Sequence, residues 1–296
     1  RSSLAGSSSD RRGVIAVSAS ALLCAQLWLS APALVVATDQ LADVSASTPE
    51  SLLEAGLSGE VRRLYGIGIA DVRRYNLREA LGSVRKARAL AYRELLHGPS
   101  RGPQPRRHFV RIAYVEGQLQ QLQLIDDQLK LRADRGGEQA AAIQLRALIL
   151  HNVFLAIRGF TGQLDVPFAE RVLAAYREAQ LQRSRFNREV QLGMAAMLAE
   201  RGELVEARSE FAKLSTAELQ GDGIDLAVIY YHLSVGETRL ALVRLLDATR
   251  RDTWQHGVRE GSSLRASMYR MSDFDRLRSH PRFVELVTIP EEQVTP

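Results

Sequence analysis

Histidines and carboxylates are the side chains of this chain whose chemistry could support acid–base catalysis or metal binding. The six histidines show no ligand spacing, and no H-E-x-x-H sequence occurs. The adjacent pairs Asp126-Asp127 and Glu291-Glu292 would point in different directions on a helix, which is typical of a solvated face. The sequence also lacks a nucleophile elbow, a phosphate-binding glycine loop and a dinucleotide-binding fingerprint. We therefore expect no catalytic, cofactor-binding or metal-binding residues, and a protein that is not an enzyme.

Two other polar groups fall inside apolar helical patterns. The pair His151-Asn152 interrupts the most apolar stretch of the body, where a lone buried histidine with a hydrogen-bond partner usually has a structural role. The run Tyr230-Tyr231-His232 could line a pocket, but consecutive residues of a helix lie on separate faces. Neither group predicts a site.

Composition bears on the class of partner. The chain has 296 residues, 46% of them hydrophobic and only 6% aromatic, and its net charge is +5. Only three of the 39 basic residues are lysines, and no run of five consecutive basic residues exists, so nucleic-acid binding is not expected. Cys24 is the only cysteine, which excludes an internal disulfide and a Cys-ligated zinc site.

The N-terminal segment predicts export. Residues 1–12 are expected to form a disordered n-region that ends in Arg11-Arg12, and residues 13–37 form an apolar run with Pro32 near its end. This run is interpreted as a signal peptide or an uncleaved membrane anchor, because about 20 apolar residues suffice to cross a bilayer. Both alternatives predict that the body is periplasmic, or membrane-anchored on the non-cytoplasmic side. Residues 38–57 are expected to be a polar linker.

The body reads as helical throughout, and nine segments show helical periodicity. They are 58–74, 77–97, 108–133, 139–159, 166–182, 186–200, 204–216, 224–235 and 238–251, and Asp165 is expected to cap the fifth. Residues 98–107 should form a loop rich in proline and arginine. Residues 139–159 are apolar almost all round, which predicts the most buried helix of the body.

A fixed period of 34 residues relates two parts of this body. Gly202 and Gly236, and Ala207 and Ala241, are separated by this distance. A period of this length is typical of repeat architectures, in which a pair of helices buries its apolar face only against its neighbours.

The residues of these segments resemble tetratricopeptide repeats (TPRs), as found in exported or membrane-anchored bacterial proteins. Residues 188–221 match through Met194, Ala195, Leu198, Gly202, Ala207, Phe211 and Leu214, and residues 222–255 match through Val228, Ile229, Gly236, Ala241, Leu245 and Ala248. A third match over 61–94 uses Ile67, Gly68, Ala80, Val84 and Ala87, with Tyr75 where glycine is usual. The segment 272–283 resembles the closing segment of such arrays, in which Phe274, Leu277 and Phe283 would cover the last apolar face.

The resemblance implies an all-α, TPR-like solenoid of helical hairpins, preceded by a signal or transmembrane helix. We expect a divergent helical region at 58–182, two repeats at 183–255, and a capping segment with its tail at 256–296. Because nine helices cannot all alternate in pairs, either an unpaired helix interrupts the array or the 61–94 match is a coincidence.

The resemblance also implies where a partner would bind. The concave surface of the family comes from the first helix of each pair, and the matching positions here are Glu189, Leu192, Ala196, Leu226, Tyr230 and Leu233. This groove could hold an amphipathic helix of a protein partner, or it could be covered by residues 252–289 of the same chain.

The sequence thus predicts a non-catalytic scaffold for protein–protein interaction in the cell envelope, with an envelope protein as partner and a membrane contact through 13–37 if that run stays uncleaved. One alternative is a cytoplasmic regulatory repeat module, with residues 13–37 buried. Another is an enzyme with a site among the helices of 98–182.

Overall fold

The structure is a computed structural model that describes residues 58–97, 103–131, 136–161, 164–220, 224–250, 274 and 277–287. Every regular element in these ranges is a helix, so the all-α prediction is confirmed for them. The expected n-region, the apolar run 13–37, the linker 38–57, the stretch 251–273 and the tail 288–296 lie outside the described residues.

The first four helices are long. They are α1 (Gly59–Arg73), α2 (Leu77–His97), α3 (Pro103–Leu131) and α4 (Gly136–Thr161). Ser58 caps α1, because its side chain accepts a hydrogen bond from the Val61 amide. Helix α3 begins five residues earlier than predicted, since Pro103 and Pro105 fall in the first turn, where proline costs no hydrogen bond.

The remaining helices of the array are shorter. They are α5 (Val166–Gln180), α6 (Asn187–Glu200), α7 (Leu204–Ala212), α8 (Asp225–Ser234) and α9 (Thr238–Ala248), followed by α10 (Pro281–Val287). The predicted cap of α5 is confirmed, as the Asp165 carboxylate accepts a hydrogen bond from the Phe168 amide. Helix α7 ends four residues before the predicted position, because Ser215 and Glu218 form a capping box that starts a separate turn.

Helices that follow each other in the chain pack against each other from α1 to α7, and α8 packs against α9. In addition α4 packs against α6, and α6 packs against α8, across the helix that separates each pair in the chain. Helices α4, α6 and α8 therefore form one row. Pairing α4 with α5, α6 with α7 and α8 with α9 leaves α3 as a single helix between this row and the α1–α2 hairpin.

Three of the helix–helix connections share one geometry. The turns 74–76, 201–203 and 235–237 each have three residues, and the middle residue has a positive φ: 64° for Tyr75, 86° for Gly202 and 79° for Gly236. In each turn the amide of the middle residue bonds the carbonyl three residues earlier, and the next amide bonds the carbonyl five residues earlier. These are the bonds of a helix C-terminus closed by a left-handed residue. Five residues after each middle residue stands a fully buried alanine, namely Ala80, Ala207 and Ala241.

The hydrophobic core forms one large cluster through α1–α8 and a smaller one at the C-terminal end. The smaller cluster joins α8 and α9 to Phe274, Leu277 and Phe283, all at most 1% exposed. The predicted covering of the last apolar face by these three side chains is confirmed.

Helix α4 contains the one stretch of the described residues, Gly137–Gly159, that is long and apolar enough to cross a membrane. Two thirds of it is buried against other helices, as the core helix of a globular protein would be. The expectation that α4 is the most buried helix is wrong when helices are compared by the fraction of their residues that is buried, because α8 buries eight of its ten residues. Helix α8 has α6 and α9 on two sides and the C-terminal cluster on a third.

Candidate functional site

The six residues predicted to line a partner groove lie on α6 and α8, as expected. Five of them are buried within this chain: Leu192, Ala196, Leu226, Tyr230 and Leu233 are each at most 8% exposed. Glu189 is partly exposed and its carboxylate pairs with the neighbouring Arg188. The five apolar positions therefore belong to the core and do not form an open groove.

Two different parts of the chain bury these positions. Leu226 and Leu233 pack in the cluster that contains Phe274, Leu277 and Phe283. Of the two occupants considered from the sequence, the chain's own C-terminal segment is therefore the one that covers this end. Tyr230 instead faces α4, where its ring lies 6.2 Å from that of His151.

The buried carboxylate of Glu200 connects α4, α6 and α8, the three helices that form one row. Glu200, at the end of α6, accepts hydrogen bonds from the Tyr230 hydroxyl at 2.7 Å and the Ser234 hydroxyl at 2.8 Å, both from α8. The guanidinium of Arg158 in α4 pairs with the other carboxylate oxygen. The Glu200 side chain is 1% exposed, so its charge is held away from water by these partners. This arrangement fixes the helices relative to each other and leaves the carboxylate no free oxygen for a reaction.

His151 occupies a similar central position. Its Nδ1 lies 2.8 Å from the Tyr176 hydroxyl, and its ring makes edge contacts with Tyr176 and Tyr230. The pKa of His151 is lowered to about 3 because burial penalises the charged imidazolium. A histidine that stays neutral at ordinary pH is a packing and hydrogen-bonding group, which is the structural role expected from the sequence.

The run Tyr230-Tyr231-His232 does not form one surface. Tyr231 stacks on Phe211 of α7, with ring centroids 4.0 Å apart, whereas His232 bonds the Glu237 carboxylate at 2.9 Å. Burial raises the pKa of Tyr231 to about 12, and the charge of Glu237 adds to this shift. The prediction that the three side chains point to separate faces is confirmed for Tyr230 only, because the rings of Tyr231 and His232 lie 5.5 Å apart and both contact Phe211.

Sequence reasoning did not identify two other buried carboxylates. Glu116 of α3 pairs with Arg85 and Arg88, both on α2, and Asp225 of α8 pairs with Arg244 of α9 at 2.8 Å. The spacing of Arg85 and Arg88 was the sequence signal for Glu116, because residues three apart on a helix lie on one side of it and can reach the same carboxylate. No signal local to Asp225 indicates its partner nineteen residues later.

The described residues contain no cluster of three or more His, Cys, Asp or Glu side chains that could hold a metal ion. Comparisons with protein-family models, with curated proteins and with solved structures found no match. A function for this chain therefore has to be argued from its own residues and contacts.

Proposed function

We propose that this chain is a non-catalytic helical-repeat scaffold of the TPR type that binds a protein partner in the cell envelope. The observation that carries the proposal is the repeated hairpin turn. Tyr75, Gly202 and Gly236 share the left-handed backbone, the same two hydrogen bonds and the same distance to a buried alanine. Repetition of one supersecondary unit is how solenoid scaffolds build extended binding surfaces.

The polar interior supports a scaffold over an enzyme. The buried carboxylates Glu116, Glu200 and Asp225 each pair with arginine from a neighbouring helix. His151 is held neutral by burial. Carboxylates that are paired with arginine and a histidine that stays neutral stabilise helix packing and leave little capacity for acid–base work.

The partner contacts an exposed part of the array in this proposal, because the inner positions of α6 and α8 are filled. Among the described residues, the two most exposed large apolar side chains are Leu181, 82% exposed at the end of α5, and Val205, 78% exposed at the start of α7. Substitutions there change the surface and leave the core intact. The envelope location rests on the apolar run 13–37 and its preceding arginines.

Affinity capture tests the proposal. The tagged full chain is incubated with a detergent extract of the source-cell envelope, and the bound proteins are identified by mass spectrometry. We expect a reproducible partner whose recovery is reduced by Leu181→Glu or Val205→Glu, with unchanged thermal unfolding of the variants. Recovery of the chain itself in the cytosolic fraction, or a folded chain that captures no protein, would contradict the proposal.

A further inference from the structure

The outward side of α2 carries an unbalanced row of positive charge. Arg78, Arg85, Lys86 and Arg93 lie on the side opposite the buried residues Ala80, Val84, Ala87 and Ala91. We call these four residues the basic face. Helix α2 contains five basic residues and two acidic ones, so the excess is a property of this helix.

Most of this charge has no counterpart in the described part of the chain. Arg85 shares the single carboxylate of Glu116 with Arg88. Arg78, Lys86 and Arg93 have no carboxylate within ion-pair distance among the described residues. Three cations along about 22 Å of helix therefore face solvent or a group outside the described ranges.

The end of the basic face nearest the C-terminus of α2 is apolar. Tyr92 is 44% exposed and Leu96 is 58% exposed. At this same end the described chain begins, because the Ser58 amide donates a hydrogen bond to the Glu94 carboxylate at 3.4 Å. The segment that precedes Ser58 therefore starts at this end of α2, on the Glu94 side of the helix, which adjoins the edge of the basic face formed by Arg93 and Lys86.

That preceding segment has the complementary composition. Residues 38–57, which we call the acidic linker, contain four acidic residues (Asp39, Asp43, Glu50 and Glu54) and no basic residue. Its half nearest Ser58 also carries Leu52, Leu53 and Leu57. Carboxylates and leucines therefore alternate in the half of the linker nearest Ser58.

We infer that the acidic linker binds the basic face of α2. Lys86 lies about 12 Å and Arg78 about 24 Å along the helix from Glu94. A chain extended from Ser58 reaches at most about 14 Å at Glu54 and about 28 Å at Glu50. The linker is therefore long enough to bring its carboxylates to Arg93 and Lys86, the two cations on the edge of the basic face nearest Glu94.

A membrane surface fits the same face less well. Gly82 and Ala89 lie between the cations, and a Cβ at Gly82 would meet no atom within 4 Å. The face therefore presents apolar side chains of any size only at its Tyr92–Leu96 end, whereas a bilayer-bound helix inserts an apolar face along its length.

The inference goes beyond the scaffold proposal and does not depend on it. It makes the linker an internal ligand of the α1–α2 hairpin, which ties the helical array to the apolar run 13–37 at a fixed place. An anionic molecule that competes for the basic face would release this attachment.

Zero-length cross-linking of the full chain tests the inference, because a carbodiimide joins a lysine amine only to a carboxylate that it touches. The chain has three lysines, and two of them have a neighbouring carboxylate: Lys130 pairs with Asp127 and Lys213 with Glu210. These two provide internal controls for the reaction. We expect Lys86, and neither control lysine, to form links to Asp39, Asp43, Glu50 or Glu54.

Charge variants sharpen the test. Arg93→Glu should reduce the yield of the Lys86 links severalfold, and adding Glu54→Arg in the same chain should restore the links to Glu50. Arg183→Glu, which changes an exposed arginine between α5 and α6, is the matched control and should leave the yield unchanged. Raising salt from about 0.01 M to about 1 M should also lower the yield, since the Debye length falls from about 30 Å to about 3 Å.

Three results would overturn the inference. The first is the absence of Lys86 links to 38–57 while the Lys130–Asp127 link forms. The second is equal linking of the segment to all three lysines, which indicates random encounters of a tethered chain. The third is linking only between chains, detected by mixing isotope-labelled and unlabelled protein, which assigns the basic face to a second copy.

Discussion

The guanidinium of Arg171 lies over the ring of Tyr75, 5.2 Å from its centroid, and so joins the turn of the first hairpin to α5. Arg73, the last residue of α1, pairs with Asp165, the cap of α5. The pKa of Tyr75 is raised by burial and by the nearby charge of Asp126. The turn that departs from glycine is therefore the one whose middle residue has a side chain, and the contacts of that side chain offset the strain of its left-handed backbone.

Substitutions at Tyr75 separate the contribution of the ring from that of the backbone. Tyr75→Ala removes the ring contacts and keeps the backbone strain, whereas Tyr75→Gly removes both. We expect the alanine variant to be less stable than the glycine variant by about 1 kcal/mol, the cost of a left-handed residue with a Cβ. Urea unfolding followed by circular dichroism measures the difference. Gly202→Ala provides a comparison at a turn of the same geometry, and equal stability of the two Tyr75 variants would contradict the assigned strain.

Much of the helical architecture could be predicted from sequence because it depends on local patterns. Amphipathic spacing predicted all nine helices of 58–251. The start of α5 was predicted from Asp165 and Pro167. The turns at Gly202 and Gly236 could be predicted because glycine is the residue type that adopts a positive φ at no steric cost. Tyr75 fits the same turn through contacts with distant residues, and no local pattern contains that information.

The candidate groove could be located on α6 and α8 but its burial could not be predicted. The exposure of Tyr230 depends on the packing of α4 against it through His151. The exposure of Leu226 depends on its packing with Phe274 and Phe283. Both are long-range packing relations. The ion pair between Arg158 and Glu200 is likewise formed by residues 42 positions apart that share no periodicity.

A close approach between α5 and α6 makes Gly193 sensitive to substitution. A Cβ at this position would overlap the Tyr176 hydroxyl, and that hydroxyl is itself held by His151. We expect Gly193→Ala to lower the free energy of unfolding by about 2 kcal/mol, as overpacking of a core does.

Gly66→Ala is the matched control within α1, because no atom lies within 4 Å of the added Cβ. This variant should be stabilised by about 0.5 to 1 kcal/mol through helix propensity. Chemical denaturation of the two variants in parallel measures whether Gly193→Ala lowers and Gly66→Ala raises the free energy of unfolding. Tolerance of Gly193→Ala would mean that Tyr176 has room to move away from His151.

Burial of His151 predicts a loss of stability in mild acid. Its pKa is lowered from 6.5 to about 3 in the folded chain, so below pH 6.5 the unfolded chain binds a proton that the folded chain does not. The resulting loss in the free energy of unfolding is absent well above this pH. It grows as pH falls toward 3, at no more than about 1.4 kcal/mol per pH unit. Between pH 6.5 and about pH 5 the wild type should therefore lose about 2 kcal/mol more than His151→Gln does.

The measurement is the free energy of unfolding at several pH values in that range. His97→Gln, which changes an exposed histidine at the end of α2, is measured alongside as the control. An unchanged slope in His151→Gln would show that His151 gains a proton without unfolding, and hence that water reaches its ring.

The C-terminal segment should stabilise the α8–α9 hairpin through Phe283. This side chain is fully buried against α8 and α9, whereas its neighbour Val284 is 44% exposed on the same short helix. Phe283→Ala should cost about 3 kcal/mol of local stability, the value expected for a buried aromatic side chain, and Val284→Ala should cost less than about 0.5 kcal/mol. Because helix propensity changes little between the two variants, the difference reports the contact with Leu226 and Leu233.

Hydrogen exchange resolves where this loss occurs. We expect faster exchange of the α9 amides at Leu245 and Ala248 in Phe283→Ala, with α1 and α2 unaffected, because Phe283 packs only in the cluster at the C-terminal end. Uniformly faster exchange along the whole chain would instead show that the array unfolds as one cooperative unit. Equal exchange in both variants would show that residues 277–287 do not hold the face of α8 and α9 closed in solution, and Leu226 and Leu233 would then be open to a partner.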